Sequence, residues 1–495
     1  MITKALSSIA LDQNAGASLQ TQLCLKLKAI IEAGSFKPAE PLPSSRELAK
    51  DLHVSRNTVI AAYDRLVGEG YLEAKARSGL FVTSSLADLK HLPPHRKGTL
   101  SSADPSTKSP VPRLDTPPPF RPCQPDVRLF PLALWNRMRS RSLKEHGSRI
   151  LHYQSNFPAG LPALRQSLAG YLRDSRGVRC DWRQIAITTG SQQALFLLAH
   201  LLLKPGDRVL MEDPGYLGAR LAWNSAGASV QPAPVDENGI VPSFRESPSP
   251  SLIYTTPSRQ FPTGACLPLA RRAALLDHAA KLSAWIIEDD YDSEFRYTRP
   301  PLPSLHSLDS SNRVIYLGSM SKVLFPSLRI GYLVLPDSLV DKFSSLRAVV
   351  DDHGPLIDQA TLAEFISSGA FYTHIRRCRR EYVERLSTFL RAAEHTAVPL
   401  VFPHTDGGMN LMGLLPPGTD DAFCSRELKS AKLDIPPASR YAIKTTKPGL
   451  LFGFTAFDHS TIRNLMRVVA DSLSFAIKKR SKVIKCHQSR FRTGG

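Results

Sequence analysis

The sequence predicts an α/β protein in unequal parts: a small helical N-terminal region closed by a hairpin, then a large domain on a mostly parallel sheet with a smaller C-terminal α/β subdomain. Three observations carry this. Residues 19–83 combine helical apolar periodicity with capping signals and end in two short strand-like runs. Residues 86–119 hold eight prolines and few large apolar side chains, too little to bury a core. They predict an extended spacer, with a docked irregular loop as the alternative. From Phe120 onward, short apolar runs alternate with helical segments, as expected of strands buried on both faces. The boundaries are 1–85, 86–119, 120–477 and a tail, 478–495.

In the first helix Leu23, Leu25, Leu27, Ile30 and Ile31 supply the apolar side. Pro38, Pro41 and Pro43 then break the chain. Ser44-Ser45-Arg46-Glu47 has capping-box spacing, and Leu48 and Leu52, one turn apart, bury the short helix that follows. Ser55 caps a third helix reaching Leu66 or Val67. Val59, Ala62, Tyr63 and Leu66 share its inner face. Arg56, Asn57, Thr58 and Ala61 are left outward near its N-terminus, where a recognition helix places base- and phosphate-reading side chains. Gly68 and Gly70 end it, and 71–74 and 80–83 predict strands around Lys75-Ala76-Arg77-Ser78-Gly79, a basic wing. A generic helical domain with a hairpin is the plainer alternative.

Charge alone does not make the DNA argument. The net charge is +19, yet residues 1–85 hold ten Lys/Arg against eight Asp/Glu. The tail from Lys478 has seven basic residues and no acid, which reads as a disordered solvated tail or as a source of non-specific phosphate attraction. No apolar run approaches the ~18 residues of a membrane span. The N-terminus lacks the apolar core of a signal peptide. Seven cysteines lie scattered without C-x-x-C spacing, implying free thiols in a reducing, cytoplasmic setting and no metal framework.

In open α/β sheets, ligands gather where strands end in loops. The runs Ile185-Ala186-Ile187, Val209-Leu210-Met211, Leu252-Ile253-Tyr254, Trp285-Ile286-Ile287 and Val314-Ile315-Tyr316-Leu317 are the candidate strands. After the first comes Thr189-Gly190-Ser191-Gln192-Gln193, a glycine turn opening a helix and so a ready anion site. After Ile287 comes Glu288-Asp289-Asp290-Tyr291-Asp292, an acid cluster that alone reads as solvated or capping. After Leu317 comes Gly318-Ser319-Met320-Ser321-Lys322, with Arg329 seven residues on. A lysine amine can form a Schiff base, serine hydroxyls and a guanidinium can hold a phosphate, and a carboxylate can keep a pyridine nitrogen protonated.

Leu42-Pro43-Ser44-Ser45-Arg46 followed by Val54-Ser55-Arg56-Asn57-Thr58-Val59 resembles the GntR winged helix-turn-helix. That resemblance implies double-stranded operator or promoter DNA as partner, with Arg46, Arg56 and Thr58 as leading contacts and Ser55, Asn57, Lys75 and Arg77 completing the face. Glu212-Asp213-Pro214-Gly215-Tyr216, Gln260-Phe261-Pro262-Thr263-Gly264 and the Asp289 and Lys322 motifs resemble the aspartate aminotransferase superfamily. The combination resembles the MocR type of regulator over essentially the whole chain. It implies pyridoxal 5'-phosphate as cofactor, with Lys322 as the catalytic residue holding the internal aldimine. Asp289 then pairs with the pyridine nitrogen, Tyr291 with the ring hydroxyl, and Ser191, Gln192, Ser319 and Arg329 with the phosphate. Tyr216 lies near the ring. Tyr153 reaches the phosphate of a partner subunit in a domain-swapped homodimer.

The chain also departs from that pattern. Arg259 stands where many relatives have histidine, Val323 replaces a common threonine, and Asn156-Phe157 replaces an aspartate before Pro-Ala-Gly. Ala39 and Pro41 occupy a region that often carries a glycine and a basic residue. Leu450-Leu451-Phe452-Gly453-Phe454 lacks the arginine with which aminotransferases commonly clamp a substrate carboxylate. Arg440 is either its substitute or a surface arginine. Three readings follow: a transcription factor sensing the cofactor, or a small amine or amino acid that forms an external aldimine with it; an active aminotransferase with an accessory head; or a plain GntR repressor with a decayed pocket. The intact lysine, aspartate and phosphate set opposes the third. A capped recognition helix, which no enzyme needs, favours the first.

Overall fold

The computed structural model describes residues 6, 9–12, 16–36, 39–75, 79–83, 117–153, 157–242, 249–298, 302–444 and 447–492, with side chains as far as Lys479. Arg77, Asn156 and residues 86–116 of the expected linker lie outside the described residues. The chain divides into two compact units, Met1–Pro112 and Arg113–Gly495.

In the first unit, helices α1 (Leu19–Glu32), α2 (Ser45–Asp51) and α3 (Arg56–Gly68) precede the antiparallel pair β1 (Leu72–Lys75) and β2 (Gly79–Val82). Ser44 and Glu47 form the capping box, with the Ser44 N–H donating to Glu47 Oε2 at 2.9 Å and the Glu47 N–H to Ser44 Oγ at 3.2 Å. Leu23, Leu27 and Ile31 of α1 meet Leu48, Val59, Ala62, Tyr63 and Leu66 in one core. Leu25 corrects the expectation drawn from the sequence: it is 56% exposed. Residues two apart on a helix lie about 200° apart, so Leu25 cannot share a face with Leu23 and Leu27. The Tyr63 hydroxyl donates to the Pro43 carbonyl at 3.0 Å, fixing α3 against the turn that enters α2.

The second unit contains α4 (Leu132–His146), α5 (Pro162–Arg176), β3 (Ile185–Thr188), α6 (Ser191–Leu202), β4 (Arg208–Asp213), α7 (Leu217–Ser225), β5 (Ser229–Asp236), β6 (Gly239–Ile240) and β7 (Leu252–Thr255). There follow α8 (Leu269–Lys281), β8 (Trp285–Asp290), α9 (Leu305–Leu308), β9 (Val314–Ser319), α10 (Met320–Val323), β10 (Gly331–Val334), α11 (Asp337–Val350) and α12 (Leu356–Ser367). The strands form one sheet in the order β3-β10-β9-β8-β7-β4-β5-β6. It is parallel from β9 to β5, with β10 antiparallel to both neighbours. Helices α6, α7 and α11 cover the face carrying Ala186, Val209, Tyr254, Ile287 and Leu317. Helices α5 and α12 cover Ile185, Ile187, Tyr316 and Tyr332 on the other. Burial on both faces is why these strands read as unbroken apolar runs.

A smaller C-terminal part comprises α13 (Ala370–His395), the antiparallel pair β11 (Asn410–Leu414) and β12 (Gly449–Gly453), α14 (Asp421–Ser430) and α15 (His459–Arg492). Phe120 lies at its centre, with ring centroids 5.7 Å from Phe389, 5.7 Å from Phe452 and 5.9 Å from Phe457. The reading of residues 478–495 as a disordered tail is corrected in its backbone, because α15 continues through Arg492. A long amphipathic helix propagates once its first turns are docked. Among the described residues no helix is long and apolar enough to cross a membrane.

Candidate functional site

The DNA-facing candidates cluster at the start of α3. Ser55 is its cap: the Thr58 N–H donates to Ser55 Oγ at 3.1 Å, and the two hydroxyls lie 2.8 Å apart. Arg46, Arg56 and Asn57 are exposed, and Arg56 Nε donates to Ser45 Oγ at 3.2 Å. Lys75 lies in the hairpin, 3.3 Å from Glu73 and over the Phe81 ring at 4.8 Å. Thr58 is half-buried, so its hydroxyl serves the cap first.

In the large unit, the ends of β3, β7, β8 and β9 and the start of the reversed β10 share one edge of the sheet, since Gly331 pairs with both Thr188 and Ser319. Loops leaving that edge converge on a cavity of about 350 Å³. Lys322, Asp289, Tyr291, Ser191, Gln192, Ser319, Arg329, Tyr216 and Arg440 all line it. Tyr153 does not. It is 87% exposed and packs edge-on to His353 at 6.3 Å.

Strand geometry separates the acid cluster. Successive residues of β8 point to opposite faces, so Glu288 and Asp290 turn one way and Asp289 the other. Glu288 accepts the N–H groups of Leu305 and His306, each at 2.9 Å. Asp290 accepts from Arg176 Nε at 2.7 Å, Ser293 Oγ at 2.9 Å and the Tyr316 hydroxyl at 2.5 Å. Both therefore hold the framework. Asp289 alone faces the cavity, accepting the Tyr254 hydroxyl at 2.7 Å. Burial pushes its carboxyl up to about 7, with Asp290 and Glu212 acting in the same sense and the Tyr254 hydrogen bond and Lys322 opposing.

A pH test follows. Asp289 in the folded cofactor-free protein keeps a proton that the unfolded chain releases near its usual value of 3.8. The folded state thus binds more protons between about pH 4 and 7, and stability falls as pH rises through that window, by up to ~1.4 kcal/mol per unit for one group. Asp289→Asn flattens that fall in denaturant unfolding. An unaltered slope refutes it.

At the other end of the cavity α6 begins at Gly190 with no side-chain cap. A Cβ on Gly190 would lie 2.7 Å from the Arg329 guanidinium, so only glycine lets that group approach. Arg329 Nη2 donates to the Thr189 carbonyl at 2.9 Å, and Ser321 Oγ is buried without a hydrogen-bond partner. Uncapped N–H groups, a guanidinium and an unused hydroxyl make this end fit an anion such as a phosphate.

Sequence reasoning passed over Tyr254, read only as strand, and the segment 119–123. The Asp434 N–H donates to the Pro119 carbonyl at 2.9 Å and the Gly453 N–H to the Phe120 carbonyl at 2.8 Å. Lys322 Nζ donates to the Cys123 carbonyl at 3.3 Å. Arg121, Pro122 and Cys123 thus form a wall of the cavity. Proximity of a linker end to a distant lysine leaves no local signal in the sequence. Other motif residues prove architectural. Glu212 accepts the Thr255 and Thr256 hydroxyls, each at 2.6 Å, and Arg259 turns away to the Asn410 carbonyl at 2.8 Å.

Fold and pocket together define a winged-helix head joined to an aminotransferase-type domain. Residues 19–82 match the family described as bacterial regulatory proteins, gntR family, and residues 141–451 match aminotransferase class I and II, a fold family that depends on pyridoxal phosphate. Over 473 residues the chain is 38% identical to the probable rhizopine catabolism regulatory protein MocR of Rhizobium meliloti, covering 92% of this chain and 94% of that one. It is 32% identical over 467 residues to the pyridoxine biosynthesis transcriptional regulator PdxR of Corynebacterium glutamicum, covering 94% and 98%. Among solved structures, the α-aminoadipate aminotransferase LysN of Thermus thermophilus, complexed with N-(5'-phosphopyridoxyl)-L-leucine, is 29% identical with a TM-score of 0.67, over 72% of this chain and 92% of that one. The chain belongs to the MocR type of GntR-family transcriptional regulators, DNA-binding proteins with an aminotransferase-like domain.

Proposed function

We propose that this regulator binds pyridoxal 5'-phosphate through Lys322 and alters its hold on promoter DNA when the cofactor, or an amine or amino acid, enters the same pocket. The observation that carries the reading is the gathering of Lys322, Asp289, Ser319 and Arg329 around one cavity. The residues present fit the cofactor at both ends. When bound, the cofactor supplies an aldehyde for covalent attachment and an electron-withdrawing ring. Lys322 offers the amine, and Asp289, oriented by Tyr254, sets the charge at the ring nitrogen. Tyr291 would serve the ring hydroxyl and Tyr216 the ring, both lining the cavity. Arg329, Ser191, Gln192, Ser319 and the start of α6 would hold the phosphate, with the idle Ser321 hydroxyl available beside them.

Exposed Tyr153 (87%), Leu151 (68%) and Val349 (86%) support pairing with a second copy, Tyr153 being offered to that copy's pocket. The route to the head is supported by covalent order: the linker ends at the segment hydrogen-bonded to Lys322. The shared lysine, aspartate and phosphate-end residues also support a second reading, an active aminotransferase with an accessory head, which the lack of an arginine on β12 weighs against. The exposed, capped α3 favours sensing. Promoter affinity measured by fluorescence anisotropy, with and without cofactor and amines, should shift by ~5–150-fold, the usual range of coupling, while transamination assays show at most slow turnover. Enzyme-like turnover with promoter affinity indifferent to both ligands would make the protein an aminotransferase instead of a sensor.

A further inference from the structure

We propose that the linker-end segment 119–123 is the specificity wall of the pocket and selects a primary amine bearing no carboxylate on its amino-bearing carbon. The inference rests on the cofactor reading above. Gly453 of β12 has no room for any side chain: a Cβ there would lie 2.1 Å from the Arg121 carbonyl oxygen and 2.8 Å from Pro122 Cα. At this point of β12 the segment's main chain fills the space a side chain would need.

The segment is fastened on both sides of that point. Asn410 pairs with Gly453 across the small sheet. Its Oδ1 accepts the Cys123 N–H at 2.6 Å, and its Nδ2 lies 3.2 Å from Cys123 Sγ. Leu451, on the same face of β12 as Gly453, packs into an apolar cluster with Phe261 and Met412. No cation reaches inward from this strand.

Apart from Lys322 and Arg329, the cations lining the cavity among the described residues are Arg121 and Arg440. Arg440 is exposed, and Arg121 is 54% exposed with Asp434 at 3.7 Å. Both belong to the rim. Lys322 Nζ lies 3.3 Å from the Cys123 carbonyl, and the uncharged lining includes Tyr216, Phe261 and Tyr441 with the hydroxyls of Thr256 and Tyr291. A carboxylate on the amino-bearing carbon would be desolvated there without a cationic partner, which is strongly unfavourable. An amine without that group meets no such obstacle.

The test is a titration of the cofactor-loaded full-length protein, read by cofactor absorbance, with butylamine and with 2-aminopentanoate, the same chain plus that carboxylate. Butylamine should bind at least ~10-fold tighter, as expected when one ligand leaves a polar group unpaired. Gly453→Ala, which pushes the Arg121 carbonyl aside, and the milder Asn410→Ser, which frees the Cys123 N–H, should each narrow that gap. A protein that takes up cofactor yet binds 2-aminopentanoate as tightly overturns the assignment and leaves the cofactor reading standing. So does a gap that neither variant narrows. A protein that takes up no cofactor overturns both.

Discussion

Lys322→Ala should abolish the yellow absorbance of the cofactor-loaded protein, and borohydride should then trap no cofactor on the chain. In the wild type the trapped cofactor should map to the peptide carrying Lys322. The effect is all-or-none because no other amine among the residues lining the cavity can replace it: the other cations there are the guanidinium groups of Arg121, Arg329 and Arg440. The fold should survive. Lys322 is half-buried on the short α10, and its side-chain hydrogen bond goes to the Cys123 carbonyl. Losing one such bond costs about 1 kcal/mol, a modest part of the roughly 5–15 kcal/mol of a folded domain. Circular dichroism and thermal melting of the variant should therefore stay close to wild type. A wild-type protein that stays colourless after cofactor is added sinks the assignment, as does a variant that still traps it.

What was legible in the sequence depended on how local its physical cause is. Runs such as Ile185-Ala186-Ile187 and Val314-Ile315-Tyr316-Leu317 become central strands because burial on both faces demands unbroken apolar residues. The caps at Ser44 and Ser55 are equally local, since each is satisfied within three residues. β5 left no such trace. It lies toward the sheet's edge and carries Pro232 and Pro234, which central strands exclude. The site splits the same way. Lys322 and Arg329 follow β9, Asp289 lies near the end of β8, and all three could be placed by motif. Tyr254 and Cys123 act through partners 35 and 199 residues away. A short apolar strand and a proline-flanked cysteine give no hint of those partners.

The other large effect should come from the head. Arg56→Ala should weaken specific promoter binding by at least ~1 kcal/mol, about fivefold, if the side chain reaches a base edge or a phosphate. Arg56 is the first residue of α3, where the Ser55 cap fixes the backbone. Its Nε is already held by Ser45 Oγ, so the guanidinium is oriented before DNA arrives and less ordering entropy opposes the contact. Lys75 should matter less, because Glu73 and the Phe81 ring already engage its ammonium. Lys28 and Arg65 are both drawn to Glu69 and should be nearly silent. Trimming from Arg480 onward spares Lys479 and its contact with Glu427 at 3.6 Å. That truncation should weaken binding evenly across sequences and flatten the salt dependence, as loss of diffuse phosphate attraction does. Anisotropy titrations against promoter and scrambled duplexes at two salt concentrations separate the two effects. If Arg56→Ala binds promoter like wild type while the trimmed chain loses its preference for promoter, recognition of the DNA sequence belongs to the tail and not to α3.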